Sequence, residues 1–221
     1  MAKNEKQPFI FDTELRLVML TGLKVRTVAD LRRTLALVPG SSIFFHTHHE
    51  YLAHNFHKPL HYNDFSVWVS QTLREEALAE KLAAIDLLAL TTIRGLREAL
   101  LKTLDDYTAA KGDVPQECRP DEAFHFCRSK SFILPTGIVA NDVPEFFAKL
   151  PLITDASLYF HFFEARLRLG RLSSDFSRWL KERDRGDLAD AINALNPYIR
   201  TLDELKQDII RIGQGAGALH S

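Results

Sequence analysis

Apolar residues along this chain recur mostly at steps of three and four. Ile93, Leu96, Leu100, Leu104 and Tyr107 make one such stripe, the pattern of a helix that buries one face. Leu202, Leu205, Ile209 and Ile212 make another, opened by Thr201-x-x-Glu204, a spacing at which side chains and backbone cap each other at a helix start. Thr27 with Asp30 offers a similar start to a helix reaching about Leu37, which Pro39-Gly40 ends. Asp142-Val-Pro-Glu145 repeats the device, with proline in the first turn where its missing N–H costs little. Further helices are expected after Ser41-Ser42, after Asp155 as far as Gly170, from Asn63-Asp64, from Ser174-Asp175, and over Ala77 to Ile85 and Asp187 to Leu195. Leu15 to Leu20 and Ser131 to Leu134 read as extended, one short strand ahead of each helical run. The pattern predicts a mainly α fold, with an all-helical tandem preferred over one that includes those strands.

The chain also matches itself. Shifted by 115 positions, Phe9 to Leu52 lies on Phe124 to Leu167 without a gap. Phe9 and Phe11 meet Phe124 and Phe126, and Thr21-Gly22-Leu23 meets Thr136-Gly137-Ile138. Ser42-Ile43-Phe44-Phe45-His46 meets Ser157-Leu158-Tyr159-Phe160-His161. A deletion of four residues then brings Asp64-Phe65-Ser66-Val67-Trp68 onto Asp175-Phe176-Ser177-Arg178-Trp179. Two rare residue types coincide, so an internal duplication is inferred before any fold is assigned. Residues 9–107 form one helical repeat and 124–213 the other, joined by a polar linker at 108–123 that holds two prolines and a glycine.

The paired motifs carry a resemblance. S-S-I-F-F-H-T-H at Ser41 to His48 with N-D-F-S-x-W at Asn63 to Trp68, then S-L-Y-F-H-F-F-E-A-R-L-R-L-G-R at Ser157 to Arg171 with S-D-F-S-x-W-L at Ser174 to Leu180, resemble a bacterial family known only as a domain of unknown function. The resemblance spans nearly the whole chain. It implies a duplicated, bacterial, cytoplasmic protein and carries no activity or catalytic residue with it.

Composition narrows the classes. The 221 residues are 46% hydrophobic and 26% charged, with a net charge of -1; these proportions suit a globular core and exclude disorder. Near-neutrality supplies no field for nucleic acid or an anionic membrane surface. The longest uncharged run, Thr34 to His49, is broken by Pro39-Gly40, too short for a bilayer span. The opening Met1-Ala-Lys-Asn-Glu-Lys has no apolar stretch of a signal peptide, and two cysteines, Cys118 and Cys127, make no disulfide framework. A cytoplasmic protein is expected.

Six of the nine histidines fall between His46 and His61. On a helix His46, His49 and Glu50 share a face, and in the second repeat the matching face holds His161, Glu164 and Arg168. Imidazole and carboxylate suit a divalent transition metal, so one reading has His46, His49, Glu50, His161 and Glu164 around an ion. The spacing is no established ligand set: only the reversed His161-x-x-Glu164 occurs, and His-Glu-x-x-His is absent. The other reading makes His46 and His161 buried framework residues, bonded to Asp64 and Asp175 or to backbone carbonyls. Asp64 and Asp175 likewise serve either as helix-start acids or as ligands. Trp68 and Trp179, with Phe65 and Phe176, read as core or as an aromatic ligand wall.

Arg166, Arg168, Arg171, Arg178 and Lys181 make the second repeat locally basic; they read either as a solvated face paired with Glu164, Asp175 or Glu182, or as a site where Arg168 and Arg171 grip a carboxylate or phosphate. His54, His57 and His61 lie where the second repeat is shorter, a place for loop function. Gly-x-Ser-x-Gly, a Walker-type loop and Cys-x-x-Cys are all missing. Gly213 to Gly217 reads as a frayed terminus.

These observations lead to a non-catalytic binding or accessory protein. It would take a small anionic ligand, through Arg168, Arg171, Asp64 and Asp175, or a protein partner, in the cleft between the repeats. The alternative is a metal-dependent, hydrolase-like enzyme in which metal-bound water attacks the substrate.

Overall fold

The computed structural model describes residues 7–49, 63–87, 89–90, 92–112, 116–165 and 173–217. The chain divides into two compact units. One, here the His46 unit, contains the described residues of 16–49 and 63–130. The other, the His161 unit, contains 7–15 and the described residues of 131–217.

The preferred all-helical fold is corrected by two long strands. β1 runs Phe9–Val25 and β2 Phe124–Ala140, 17 residues each, paired as a two-stranded sheet. Thr21 Oγ1 donates to the Phe126 carbonyl at 2.8 Å and Thr136 Oγ1 donates to that of Phe11, so the strands run antiparallel. Helices still dominate. The strands were hard to see because their middles do not alternate: Leu15, Leu17, Val18 and Leu20 are all 50–71% exposed, and without one buried face there is no period of two to read. Gly22 and Gly137 sit inside the strands at φ +82° and +77°, a backbone region that side chains with a Cβ avoid.

In the His46 unit β1 leads into α1 (Val28–Leu37), whose N-cap Thr27 side chain accepts from the Asp30 amide. α2 (Gly40–His48), α3 (Asp64–Gln71), α4 (Glu76–Ala83) and α5 (Ile93–Lys111) follow. The α5 stripe buries Leu96, Leu100, Leu104 and Tyr107 as its spacing requires. They join Leu31, Leu35, Ile43, Phe65, Trp68, Leu78 and Leu82 in one core, closed by Phe124 and Phe126 of β2.

The His161 unit contains α6 (Val143–Lys149), α7 (Asp155–Tyr159), a π-helical turn at Phe160–Glu164, α8 (Asp175–Lys181), α9 (Gly186–Asn193) and α10 (Leu202–Gly215). Thr201 and Glu204 form the reciprocal cap anticipated for α10. The helix then continues through Gly213, which is buried against the Phe147 ring so closely that a Cβ there would overlap it. That glycine is a packing residue within α10. Phe9 and Phe11 of β1 close this core beside Phe146, Phe176 and Trp179, with Phe11 stacked on Phe146 at 5.4 Å between centroids. Among the described residues no helix is long and apolar enough to cross a membrane.

Candidate functional site

Each unit is built round one histidine that holds a strand. In the His46 unit, Nε2 of His46 accepts the Cys127 amide N–H at 2.8 Å, and Ser42 Oγ donates to the carbonyl of that same Cys127 at 2.5 Å. Serine and histidine, one helical turn apart on α2, thus satisfy both backbone groups of one strand residue, as a neighbouring strand would. Because Nε2 accepts, the proton sits on Nδ1, which donates to Asp64 Oδ2 at 2.7 Å. Burial lowers the His46 pKa, a shift that Asp64 only partly opposes, so the neutral ring this arrangement needs is favoured. Trp68 Nε1 donates to the Glu122 carbonyl at 2.9 Å, fixing the chain just ahead of the strand.

The His161 unit repeats every bond. His161 Nε2 accepts the Asp12 amide at 2.9 Å, and Ser157 Oγ donates to the Asp12 carbonyl at 2.6 Å. His161 Nδ1 lies 3.1 Å from Asp175 Oδ2, and Trp179 Nε1 donates to the Gln7 carbonyl at 3.0 Å. Asp12 and Cys127 are themselves 115 positions apart, as are Gln7 and Glu122. The start of β1 is therefore seated on helices from the back of the chain, and the start of β2 on helices from the front.

The sequence-derived candidates sort accordingly. His46, His49 and Asp64 come together: His49 Nδ1 bonds the Phe45 carbonyl at 2.9 Å and lies 3.6 Å from Asp64 Oδ2. His161 and Asp175 meet in the other unit, where Glu164 accepts from Ser131 Oγ at 3.3 Å. While the strand-holding bonds stand, neither ring nitrogen of His46 or His161 keeps a lone pair for another ligand. Among the described residues no three His, Cys, Asp or Glu form a group able to hold a metal ion. Glu50, Arg166, Arg168, Arg171, His54, His57 and His61 lie outside the described residues. The indole of Trp179 is already engaged, stacked on Phe146 at 5.3 Å with the Arg183 guanidinium 3.5 Å from its centroid, so it is a core residue whose edge borders a pocket.

Beside the His161 clamp opens a pocket of about 500 Å³, within the size range of small-molecule sites. Its apolar lining includes Pro8, Phe9, Ile10, Ile133 and Phe160; its charged lining is Asp12, Asp175, Arg178 and Glu182. Arg178 reaches to 3.6 Å of Asp175 Oδ1 with its side chain 56% exposed. Sequence reasoning did not reach Asp12, and it named Glu182 only as an ion-pair partner for the basic cluster. The signal lay in the mismatches: Ile10, Asp12, Arg178 and Glu182 align with His125, Cys127, Val67 and Gln71.

Nothing among curated proteins matches the chain. A solved structure described as "The structure of OrfY from Thermoproteus tenax" is similar, with 28% identity, 97% of each chain covered and a TM-score of 0.83. The family model described as "Family of unknown function (DUF5752)" matches residues 6–214, and the chain belongs to that family.

Proposed function

We propose that the protein is a non-catalytic accessory protein that binds a small molecule in the pocket of the His161 unit. One observation carries the reading: the histidines, serines and tryptophans shared by the two units are engaged in seating strands, whereas Asp12, Arg178 and Glu182, which line an open pocket beside His161, Asp175 and Trp179, differ from their counterparts. A doubled segment explains that division, because a framework is kept in both copies while one copy diverges to bind. The π-helical turn that bears His161 has a regular α-helix as its counterpart, and such turns occur often at functional sites. The reaction-bearing alternative, a metal held by His46, His49, Glu50, His161 and Glu164, gains no comparable support from the His–Asp geometry.

The test is a thermal-shift screen of small molecules against the full chain and its Ile133→Trp variant. Ile133 lines the pocket and is 56% exposed, so the indole fills the cavity while the core is left intact. Compounds that raise the melting temperature of the wild type should lose at least about ten-fold in affinity for the variant, which melts like the wild type. If no compound binds, or all are indifferent to Ile133→Trp, the reading fails.

A further inference from the structure

The charges around this pocket narrow the chemistry of its ligand. Arg178 and Glu182 stand four residues apart at the end of α8, whose C-cap Glu182 still has helical backbone angles; they therefore share a face, with about 5–6 Å between Cβ atoms. Arg178 leans toward Asp175, and among the described residues no ion pair engages Glu182 or the carboxylate of Asp12. A cation and an anion thus stand side by side, and Asp12 brings another carboxylate from β1 to the same cavity. A simple anion would answer Arg178 and face Glu182 and Asp12 with like charge. A simple cation would meet Arg178 with like charge, since its 3.6 Å contact with Asp175 leaves the side chain 56% exposed. Both are answered by a ligand that carries an ammonium and a carboxylate on neighbouring atoms.

The exposed part of the remaining wall is aliphatic: Ile10 is 50% and Ile133 56% accessible, whereas Phe9, Phe160 and Trp179 are buried. With the Trp179 ring already stacked, it offers an apolar side group a surface to cover, and no open aromatic face for a planar ring. We infer that the pocket takes a small zwitterion with an aliphatic side group, a free amino acid or a short peptide of that kind. Its carboxylate lies on Arg178, its ammonium between Glu182 and Asp12, and its side group against Ile10 and Ile133. This inference rests on the pocket being a binding site.

Isothermal titration calorimetry of the full chain with leucine, leucinamide and N-acetylleucine tests it. Leucine should bind, and each capped compound, lacking one charge, should bind about ten-fold or more weakly, the effect of one charge-assisted hydrogen bond. Arg178→Met should abolish the preference for leucine over leucinamide, and Glu182→Gln with Asp12→Asn the preference over N-acetylleucine. These side chains are exposed or half-buried, and circular dichroism confirms that the variants fold. If the three compounds bind equally, or leucine does not bind while other compounds in the screen bind and are blocked by Ile133→Trp, the zwitterion inference falls and the pocket stands. If nothing in the screen binds, both fall.

Discussion

The His46 unit and the His161 unit hold the same bonds at matched positions and surround them with different chemistry. Serine to carbonyl, amide to imidazole, imidazole to carboxylate and indole to carbonyl agree to within 0.4 Å between them. What differs lies one shell outward. Cys127 in one unit, its thiol pushed up by burial and by Asp64, answers Asp12 in the other, and Val67 and Gln71 answer Arg178 and Glu182. The comparison teaches that a histidine–aspartate pair can look catalytic and be architectural. An edge strand must have its outward N–H and C=O satisfied, and Ser-x-x-x-His on a helix meets both needs at a single residue.

The strongest way to break the comparison is to cut the chain. Residues up to Gly112 supply 7–15 to the His161 unit, and residues from Gln116 supply the start of β2 to the His46 unit. A protease site inserted between Gly112 and Gln116 should therefore give a nicked protein whose halves stay together in native size-exclusion chromatography and separate only in denaturant. Halves that separate without denaturant would show that the seated strands hold little.

Much of this was legible locally and little of it at a distance. Helix starts at Thr27, Asp142 and Thr201 depend on residues three apart, and the α5 stripe on steps of three and four, so composition and spacing suffice. The motifs were visible too, yet their purpose was not, because His161 acts on a residue 149 positions away and His46 on one 81 away. Pairing His46 with Asp64 was one of the readings the sequence offered; knowing that the other nitrogen faces a strand required the strand. The full strand length escaped because Leu15, Leu17, Val18 and Leu20 stay exposed, and an exposed apolar run looks the same as a stretch of helix or core.

A second difference between the units sharpens the comparison through pH. His48 is buried at 2% exposure, bonded to Thr47 Oγ1 at 2.7 Å and stacked on Phe44 at 4.7 Å. Its counterpart Phe163 stacks on Tyr159 at 4.9 Å. Burial, aided by the positive charge of Arg16, pushes the His48 pKa down from 6.5 to about 3. The unfolded chain then takes up a proton near pH 6.5 that the folded chain refuses until about pH 3. Between those values the unfolded state holds more protons, so this contribution to stability is complete above pH 6.5 and lost progressively below it. From pH 6.5 to pH 5 the His46 unit should lose about 2 kcal/mol, measured by urea unfolding through Trp68 fluorescence in a Trp179→Phe background. His48→Phe, which copies the other unit, should remove most of that loss and leave the share owed to His46, whose pKa is also lowered. An unchanged pH profile in the variant would place the acid sensitivity elsewhere.

The smallest expected effect tests the clamp most directly, because it removes one hydroxyl from each unit. Ser42→Ala frees the Cys127 carbonyl and Ser157→Ala that of Asp12. Both serines are fully buried, so water does not easily replace the lost donor, and each change should cost about 1–2 kcal/mol. Near-equality of the two costs is the informative result. It also has a local readout: the amide of the same strand residue is held by the histidine, so loosening the carbonyl side should speed hydrogen exchange at Cys127 in one variant and at Asp12 in the other. A Ser157→Ala variant that keeps its stability and its Asp12 protection, beside a weakened Ser42→Ala, would mean that the His161 seat depends on other contacts. The matched geometry would then conceal unequal energetics, and the pocket beside His161 would rest on a different support from the one its twin suggests.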